Sequence, residues 1–227
     1  MKKKSFLTFA IVWFTCLTGC KILPLTGIYR YGIADGKSIK TLESGFDITY
    51  AVDFNVAKKP ADDYISFTLV NTVRTYRLDF YACNEIKTVI ADFLALHERA
   101  VKNGLKNGIE HIGDSLLYCY VISEEGGSET VTRADAVSGG KNTVEFSFLV
   151  KDNVSYLVLN KFRVQTIYGK EKLNSWVESI PFSYGDIKKL YDVMTDEGNV
   201  NKVRRITEED SESETALAIP SFDRMKL

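Results

Sequence analysis

The sequence predicts an α+β fold in which a mainly antiparallel sheet is covered by two helices. Three observations predict this class. Apolar and polar residues alternate in several segments, apolar residues recur at helical spacing in two others, and glycine-containing turns separate the segments. The expected architecture is either one pseudo-symmetric sheet under two helices or two small tandem modules.

The first strands are predicted from a turn signal and an alternating segment. Asp35-Gly36 is a strong signal for a two-residue hairpin turn, here between strands at 28–33 and 38–42. The next strand has one apolar face, formed by Phe46, Ile48, Tyr50, Val52 and Phe54. Between 65 and 81 the apolar face switches from odd to even positions, which indicates a bend, bulge or turn near Asn71–Arg74. Further strands are predicted at 116–123, 142–151, 154–168 and 176–182.

Two helices are predicted from apolar periodicity and capping residues. The first begins near Asn84 and ends at Asn103-Gly104, with an apolar face of Ile86, Val89, Ile90, Phe93, His97, Ala100 and Val101. The second begins near Ser183, which forms a capping-box pattern with Asp186 in place of the usual Glu or Gln. Its apolar face contains Ile187, Leu190, Tyr191 and Met194, and Gly198 follows it.

The chain also contains an internal similarity. Residues 65–74 align without gaps on 154–163, with Ser, Asn and Arg at equivalent places, and a helix start with an acidic-Ile-Lys sequence follows each stretch. A duplicated strand-strand-helix unit would explain the match, with repeats at about 46–106 and 142–198. The alternative is that two antiparallel strands share β-propensity and match by chance.

The first twenty residues contain three regions in the order of an export signal. Lys2–Lys4 are positive, Phe6–Leu17 is apolar and shorter than the about 20 residues that span a bilayer, and Leu17-Thr18-Gly19-Cys20 follows. This arrangement resembles the signal peptide and lipobox of bacterial lipoproteins. The resemblance implies cleavage after residue 19 and acyl chains such as palmitate on Cys20, which would bind the protein to a membrane. The alternatives are an ordinary secretory signal or an N-terminal membrane helix.

The resemblance also implies a location in the bacterial cell envelope. Lys21 follows the cysteine where an aspartate would indicate retention at the inner membrane, so an outer-membrane destination is favoured. The predicted organisation is a signal peptide at 1–19, a tether at 20–26, an α+β domain at 27–200 and an acidic, disordered tail at 201–227. Within the tail, 216–222 form an alternative docking arm.

Charge and cysteine content restrict the partners and the covalent links. The formal charge of −1 becomes −4 once the three lysines of the signal are removed, and no basic stripe is present, so nucleic acid is excluded as an expected partner. Beyond Cys20, the remaining cysteines of the processed chain are Cys83 and Cys119. They are candidates for a disulfide in an exported protein; two buried free thiols are the alternative.

One short motif resembles part of a catalytic site. Gly113-Asp114-Ser115-Leu116 resembles the nucleophile block of the GDSL hydrolases. That family places the serine after a buried strand and takes its base from a late Asp-x-x-His motif. Here the serine precedes a predicted strand, and both histidines, His97 and His111, lie upstream of it. No catalytic residue, metal ligand or cofactor is therefore assigned.

These features favour a non-catalytic lipoprotein that acts as a protein-binding or scaffolding module. Its expected partner is an envelope protein, contacted through an exposed sheet edge or through the acidic tail. A carrier of a small apolar ligand, held between the sheet and the helices, is the first alternative. An esterase that uses Ser115 is the second.

Overall fold

The computed structural model describes residues 28–206 apart from 72–73, 82, 126–127, 138–141 and 169–170. Its fold is α+β with mainly antiparallel sheets, which confirms the predicted class. The strands in this part of the chain are β1 (Ile28–Lys40), β2 (Asp47–Ala57), β3 (Tyr64–Val70), β4 (Thr75–Phe80), β5 (Gly108–Leu116), β6 (Tyr118–Glu125), β7 (Ser128–Val137), β8 (Thr143–Lys151), β9 (Val154–Leu159), β10 (Phe162–Tyr168), β11 (Glu171–Val177) and β12 (Ile180–Ser183). The helices are α1 (Cys83–Asn103), α2 (Tyr184–Thr195) and α3 (197–206), and Pro60–Asp62 form one 3₁₀ turn.

The strands form two sheets. One has eight strands in the order β1-β2-β3-β4-β6-β7-β10-β11, and the other has four in the order β12-β9-β8-β5. Each half of the chain contributes a four-stranded antiparallel unit that ends in a helix: β1, β2, β3 and β4 precede α1, and β5, β8, β9 and β12 precede α2. The hairpins β6–β7 and β10–β11 leave the second unit and extend the first sheet.

The two four-stranded units share an order of elements, but their strands do not match residue by residue as in the gap-free alignment of 65–74 on 154–163. Phe80 is the last residue of β4 and Phe182 the last but one of β12, and they pair with Ile65 and Leu157 respectively. Matching the two phenylalanines therefore matches Ile65 with Leu157, three residues beyond the Val154 that the alignment matched. The predicted duplication stays a prediction, now with a different register.

One hydrophobic core lies between the sheets and the helices. Helix α1 packs against β5, β8 and β9, whereas α2 contacts both sheets through β1, β2, β9 and β12. Rings from the two sheets meet directly, with centroid distances of 4.7 Å for Phe67 and Phe182 and 5.8 Å for Phe80 and Phe146. Because all four rings are almost fully buried, aromatic packing is a large part of what joins the sheets.

The predicted hairpin at Asp35-Gly36 is wrong. Strand β1 continues through it and pairs with β2 from Ile28 to Lys40, with register shifts between Gly32 and Lys37. Gly36 has a φ of +61°, which a glycine adopts without steric cost, so the turn-forming pair is accommodated as an irregularity within a long strand.

Several other predicted boundaries agree with the structure. The change of face near Asn71–Arg74 falls between β3 and β4, which pair antiparallel, and the Asn71 N–H donates to the Arg74 carbonyl over 3.0 Å. Ser183 is the N-cap of α2, and its Oγ accepts from the Asp186 N–H over 3.2 Å. Gly104, which follows α1, has a φ of +63°.

The C-terminal boundary of the domain lies later than predicted. Residues 197–206 form α3, so Gly198 does not end the helical region and 201–206 are not part of a disordered tail. Val203 and Arg204 are buried on this helix. Residues 207–227 and the predicted signal and tether at 1–26 lie outside the described residues. In the part that the structure describes, no helix is both long enough and apolar enough to cross a membrane.

Candidate functional site

The outer face of the eight-stranded sheet carries a polar groove of about 260 Å³. Successive side chains of a strand point to opposite faces of the sheet. Even positions of β2 and odd positions of β3 enter the core, so odd positions of β2 and even positions of β3 lie on the outer face. The polar groove is lined by residues of four strands, including Arg30, Asp53, Asn55, Tyr64, Ser66 and Arg77. Asp79 lies beneath Ser66 and Arg77 and belongs to the same hydrogen-bonded set.

Strand register brings these residues together from distant parts of the sequence. Asp53 of β2 is directly opposite Ser66 of β3, and Ser66 is opposite Asp79 of β4. In the adjacent row, Asn55 is opposite Tyr64. Residues that face each other across antiparallel strands have neighbouring side chains, so a continuous polar strip crosses three strands.

Asp79 is the most deeply buried acid of the groove, with 1% of its surface exposed. Its Oδ1 accepts from Ser66 Oγ over 2.6 Å and from Arg77 Nε over 2.9 Å. Asn55 Nδ2 donates to the Ser66 hydroxyl oxygen over 3.3 Å. The buried polar atoms therefore hold one another in fixed orientations.

Asp53 and Arg30 form a second ion pair at the side of the groove. Arg30 Nη2 lies 2.7 Å from Asp53 Oδ2, and the arginine side chain is 63% exposed whereas that of the aspartate is 6% exposed. Burial raises the pKa of Asp53, although the hydrogen bond and charge of Arg30 partly oppose this. The hydrogen bond to Asp53 raises the pKa of Arg30.

A row of tyrosines borders the groove on the side of Arg77. Arg77 Nη2 donates to Tyr64 Oη over 3.2 Å, and its guanidinium lies 5.9 Å from the centroid of the Tyr64 ring. Tyr64 stacks on Tyr81 at 4.9 Å, and Tyr81 meets Tyr118 edge to face at 5.4 Å. Burial raises the pKa of Tyr81 to about 12. We call Tyr64, Tyr81 and Tyr118 the tyrosine row.

The structure corrects the candidate disulfide between Cys83 and Cys119. Both are free thiols. Cys83, at the start of α1, directs its Sγ to the Asp63 carbonyl at 3.1 Å, and Cys119 is fully buried in β6. Burial raises the pKa of each thiol to about 12. The structure therefore shows two free thiols, of which Cys119 is buried and Cys83 half-buried, while the proposed lipid attachment site, Cys20, lies outside the described residues.

The GDSL-like motif is not assembled into a nucleophilic site. Ser115 lies within β5, is 1% exposed, and directs its Oγ to Glu85 Oε2 at 3.3 Å. His97 instead contacts Ser155 Oγ through Nδ1 at 2.9 Å, and His111 pairs with Asp114 at 3.3 Å. Neither histidine contacts the Ser115 hydroxyl, so the geometry does not supply the histidine base that the GDSL hydrolases use.

Two other expectations bear on the site. Among the described residues, no group of three or more His, Cys, Asp or Glu is arranged to hold a metal ion. The expected apolar-ligand site between the sheet and the helices stays a prediction; between the two sheets, the rings of Phe67 and Phe182 pack against each other at 4.7 Å. A second cleft, of about 350 Å³, lies between α3 and the start of α1 and contains the ion pair of Arg204 and Asp63.

The groove was missed at the level of sequence because its acids looked like ordinary solvated charges. Asp53 lies between Val52 and Phe54, and Asp79 between Leu78 and Phe80. An acid between two core residues of a strand lies on the opposite face from them. The available signal was Arg77, which is two residues from Asp79 and so shares that face.

Comparisons with known proteins give no relative. No protein-family model matches the chain, and neither a curated protein sequence nor a solved structure matches it.

Proposed function

We propose that this chain is a non-catalytic bacterial lipoprotein that binds a protein partner in the cell envelope. The acyl chains on Cys20 attach it to a membrane, with the outer membrane as the favoured location. The polar groove and the tyrosine row form the binding surface.

The observation that supports this surface is its combination of rigidity and exposure. Arg30 and Arg77 are held by buried carboxylates yet keep 63% and 41% of their side chains exposed. Tyr81 and Tyr118 are 41% and 39% exposed and contact each other. Arginine and tyrosine are enriched among the residues that dominate binding energy at protein interfaces, and pre-ordered side chains lose less entropy on binding.

The position of the anchor agrees with a partner at the envelope. Ile28, the first residue of β1, lines the polar groove. It follows Cys20 by eight residues, which extend to roughly 27 Å at most. The groove would therefore remain close to the membrane surface, where envelope proteins are concentrated.

Site-specific photocrosslinking in the native cell tests the binding surface. A photoreactive amino acid at Thr68, which lines the groove, should give one major crosslinked protein, and Arg77→Ala should remove that product. The matched control is Asp92, an exposed position on α1 outside this sheet. Equal crosslinking at the two positions, or a product unaffected by Arg77→Ala, would reject the surface.

The anchor is tested separately. In cells fed an alkyne analogue of palmitate, the wild-type protein should be labelled and should sediment with membranes. Cys20→Ser should abolish both the labelling and the sedimentation, because the thiol is the attachment point for the lipid. A Cys20→Ser protein that still carries the label would contradict the lipoprotein proposal.

A further inference from the structure

We propose that the polar groove is a carboxylate-binding site, in which Arg30 and Arg77 bind an acidic side chain of the partner protein. This inference rests on the proposed function and adds the chemistry of the group that is recognised. Three features support it: the acids are buried beneath exposed arginines, the two arginines have unused N–H donors, and the groove is of suitable size.

Acids lie at the floor of the groove and bases at its rim. The side chains of Asp53 and Asp79 are 6% and 2% exposed, whereas those of Arg30 and Arg77 are 63% and 41% exposed. A group that enters from solvent therefore meets guanidinium before it meets carboxylate. The buried acids orient the arginines from behind, as the supporting residues of a preorganised site do.

Both arginines keep hydrogen-bond donors that the described residues do not use. Of the five N–H groups on a guanidinium, Arg77 uses one at Nε for Asp79 and one at Nη2 for Tyr64, which leaves three. Arg30 uses one donor for Asp53 and so has four left. Paired donors on a planar guanidinium match the two oxygens of a carboxylate.

Stability alone gives little reason to bury these acids. An apolar residue in place of a buried ion pair is often neutral or stabilising, so such pairs are weak evidence of a stabilising role. Positioning the two guanidiniums gives Asp53 and Asp79 a function.

Charge balance and size favour a singly charged group. Two arginines and two aspartates make the groove neutral, so a carboxylate adds one uncompensated negative charge whereas a phosphate dianion adds two. The volume of about 260 Å³ corresponds to roughly nine water molecules at about 30 Å³ each. A carboxylate with its adjoining methylene groups fits that space.

The chain itself carries a competing source of carboxylates. Ile28 pairs with Ala57, whose carbonyl accepts a hydrogen bond from Arg204, so the groove and the end of α3 lie at the same corner of the fold. The acidic run from Glu208 to Glu214 follows α3 in the sequence. The experiment must therefore separate this run from a partner.

Calorimetric titration of the full chain in detergent with a hexaglutamate peptide at low ionic strength is the test. We expect the wild type to bind hexaglutamate, and we expect the affinity to fall at least tenfold in Arg30→Gln and in Arg77→Lys. The lysine keeps a positive charge beside Asp79 but lacks the paired donors of the planar guanidinium. Arg99→Gln, at an exposed arginine on α1, should leave the affinity unchanged. A hexaglutamine peptide should not bind.

Three results would overturn the inference. First, failure of hexaglutamate to bind would overturn it, and binding of inorganic phosphate in the same titration would then show that the groove takes a different anion. Second, equal affinities of the wild type, Arg30→Gln and Arg77→Lys would show that the groove is not the site. Third, neutralising the acids of 208–214 with Gln and Asn could raise the affinity at least tenfold, which would identify the chain's own acidic run as the occupant. In each case a crosslink at Thr68 that depends on Arg77 would leave the proposed function standing.

Discussion

Arg204 and Asp63 form a two-pronged ion pair that attaches α3 to the β-domain. Both contacts, Nη1 to Oδ1 and Nη2 to Oδ2, measure 2.9 Å, and the two side chains are 10% and 9% exposed. Arg204 also donates to the Ala57 carbonyl at the end of β2. The last described helix is therefore fixed to the first sheet by a buried charge pair.

Asp63→Asn should destabilise the protein strongly because it removes the carboxylate that faces the buried Arg204 charge. Removing one member of a buried pair costs about 3–5 kcal/mol, and we expect a loss of that size in the free energy of unfolding from urea titration. The control is Asp47→Asn, since the Asp47 pair with Lys40 is 68% and 71% exposed and should contribute less than about 1 kcal/mol. Similar losses in the two variants would contradict the role of the buried pair.

Arg204 also shows where prediction from sequence fails. The chain from 201 onward looked disordered because it leads into an acidic run with no apolar residues. Val203 and Arg204 are nevertheless buried. The carboxylate of Asp63, far away in the sequence, offsets the free-energy cost of burying the Arg204 charge. A charge that is compensated by a distant residue cannot be distinguished from a solvated one by its neighbours in sequence.

The same reasoning explains which parts of the fold were predictable. The helical periodicity of α1 and the cap of α2 are local, and the structure confirms both, but Val101 of the predicted apolar face of α1 is 65% exposed. Strand β5 was missed because it is mostly exposed and lacks alternation. Its strand conformation depends on pairing with β8, and the polar groove likewise depends on the register of four strands. Features that pairing creates were not visible along the chain.

Gly113→Ala should destabilise the protein because two effects act together. Gly113 has a φ of +154°, which L-residues rarely adopt, and an added Cβ would lie 3.0 Å from Cγ2 of Val89 on α1. We expect a loss of about 1–3 kcal/mol in the free energy of unfolding. Gly185→Ala is the matched control, because nothing lies within 4 Å of its Cβ position in α2 and alanine should stabilise that helix by up to about 1 kcal/mol. A Gly113→Ala protein as stable as the wild type would show that β5 shifts freely against α1.

Cys83 and Cys119 should react slowly with thiol reagents in the folded protein. Burial raises the pKa of each to about 12, so little of the reactive thiolate is present near neutral pH. Alkylation followed by mass spectrometry should show little modification under native conditions. In denaturant without reductant, both residues should be modified. If both cysteines were modified in denaturant only after a reductant was added, the result would show that Cys83 and Cys119 form a disulfide.

Asp186 should give stability that depends on pH. Burial acts to raise its pKa, but hydrogen bonds from Lys37, Tyr50 and Ser183 outweigh burial and hold the pKa below the ordinary value of 3.8. A lowered pKa means that the folded state favours the carboxylate. Its stabilising contribution is therefore present above pH 3.8 and is lost as the pH falls through the folded-state pKa.

Asp186→Asn should consequently be less stable than the wild type at pH 7, by about 1.5–3 kcal/mol for the lost hydrogen bonds to a charged group. The difference should shrink as the pH falls below 3.8, and urea titrations at pH 7, 5 and 3 would measure it. Asp53→Asn provides a contrast of opposite sign, because burial raises the pKa of Asp53 and its ionisation above pH 3.8 lowers stability. The stability of Asp53→Asn relative to the wild type should therefore increase with pH. A pH-independent difference for Asp186→Asn would mean that its three donors stabilise the carboxylate no better than water does.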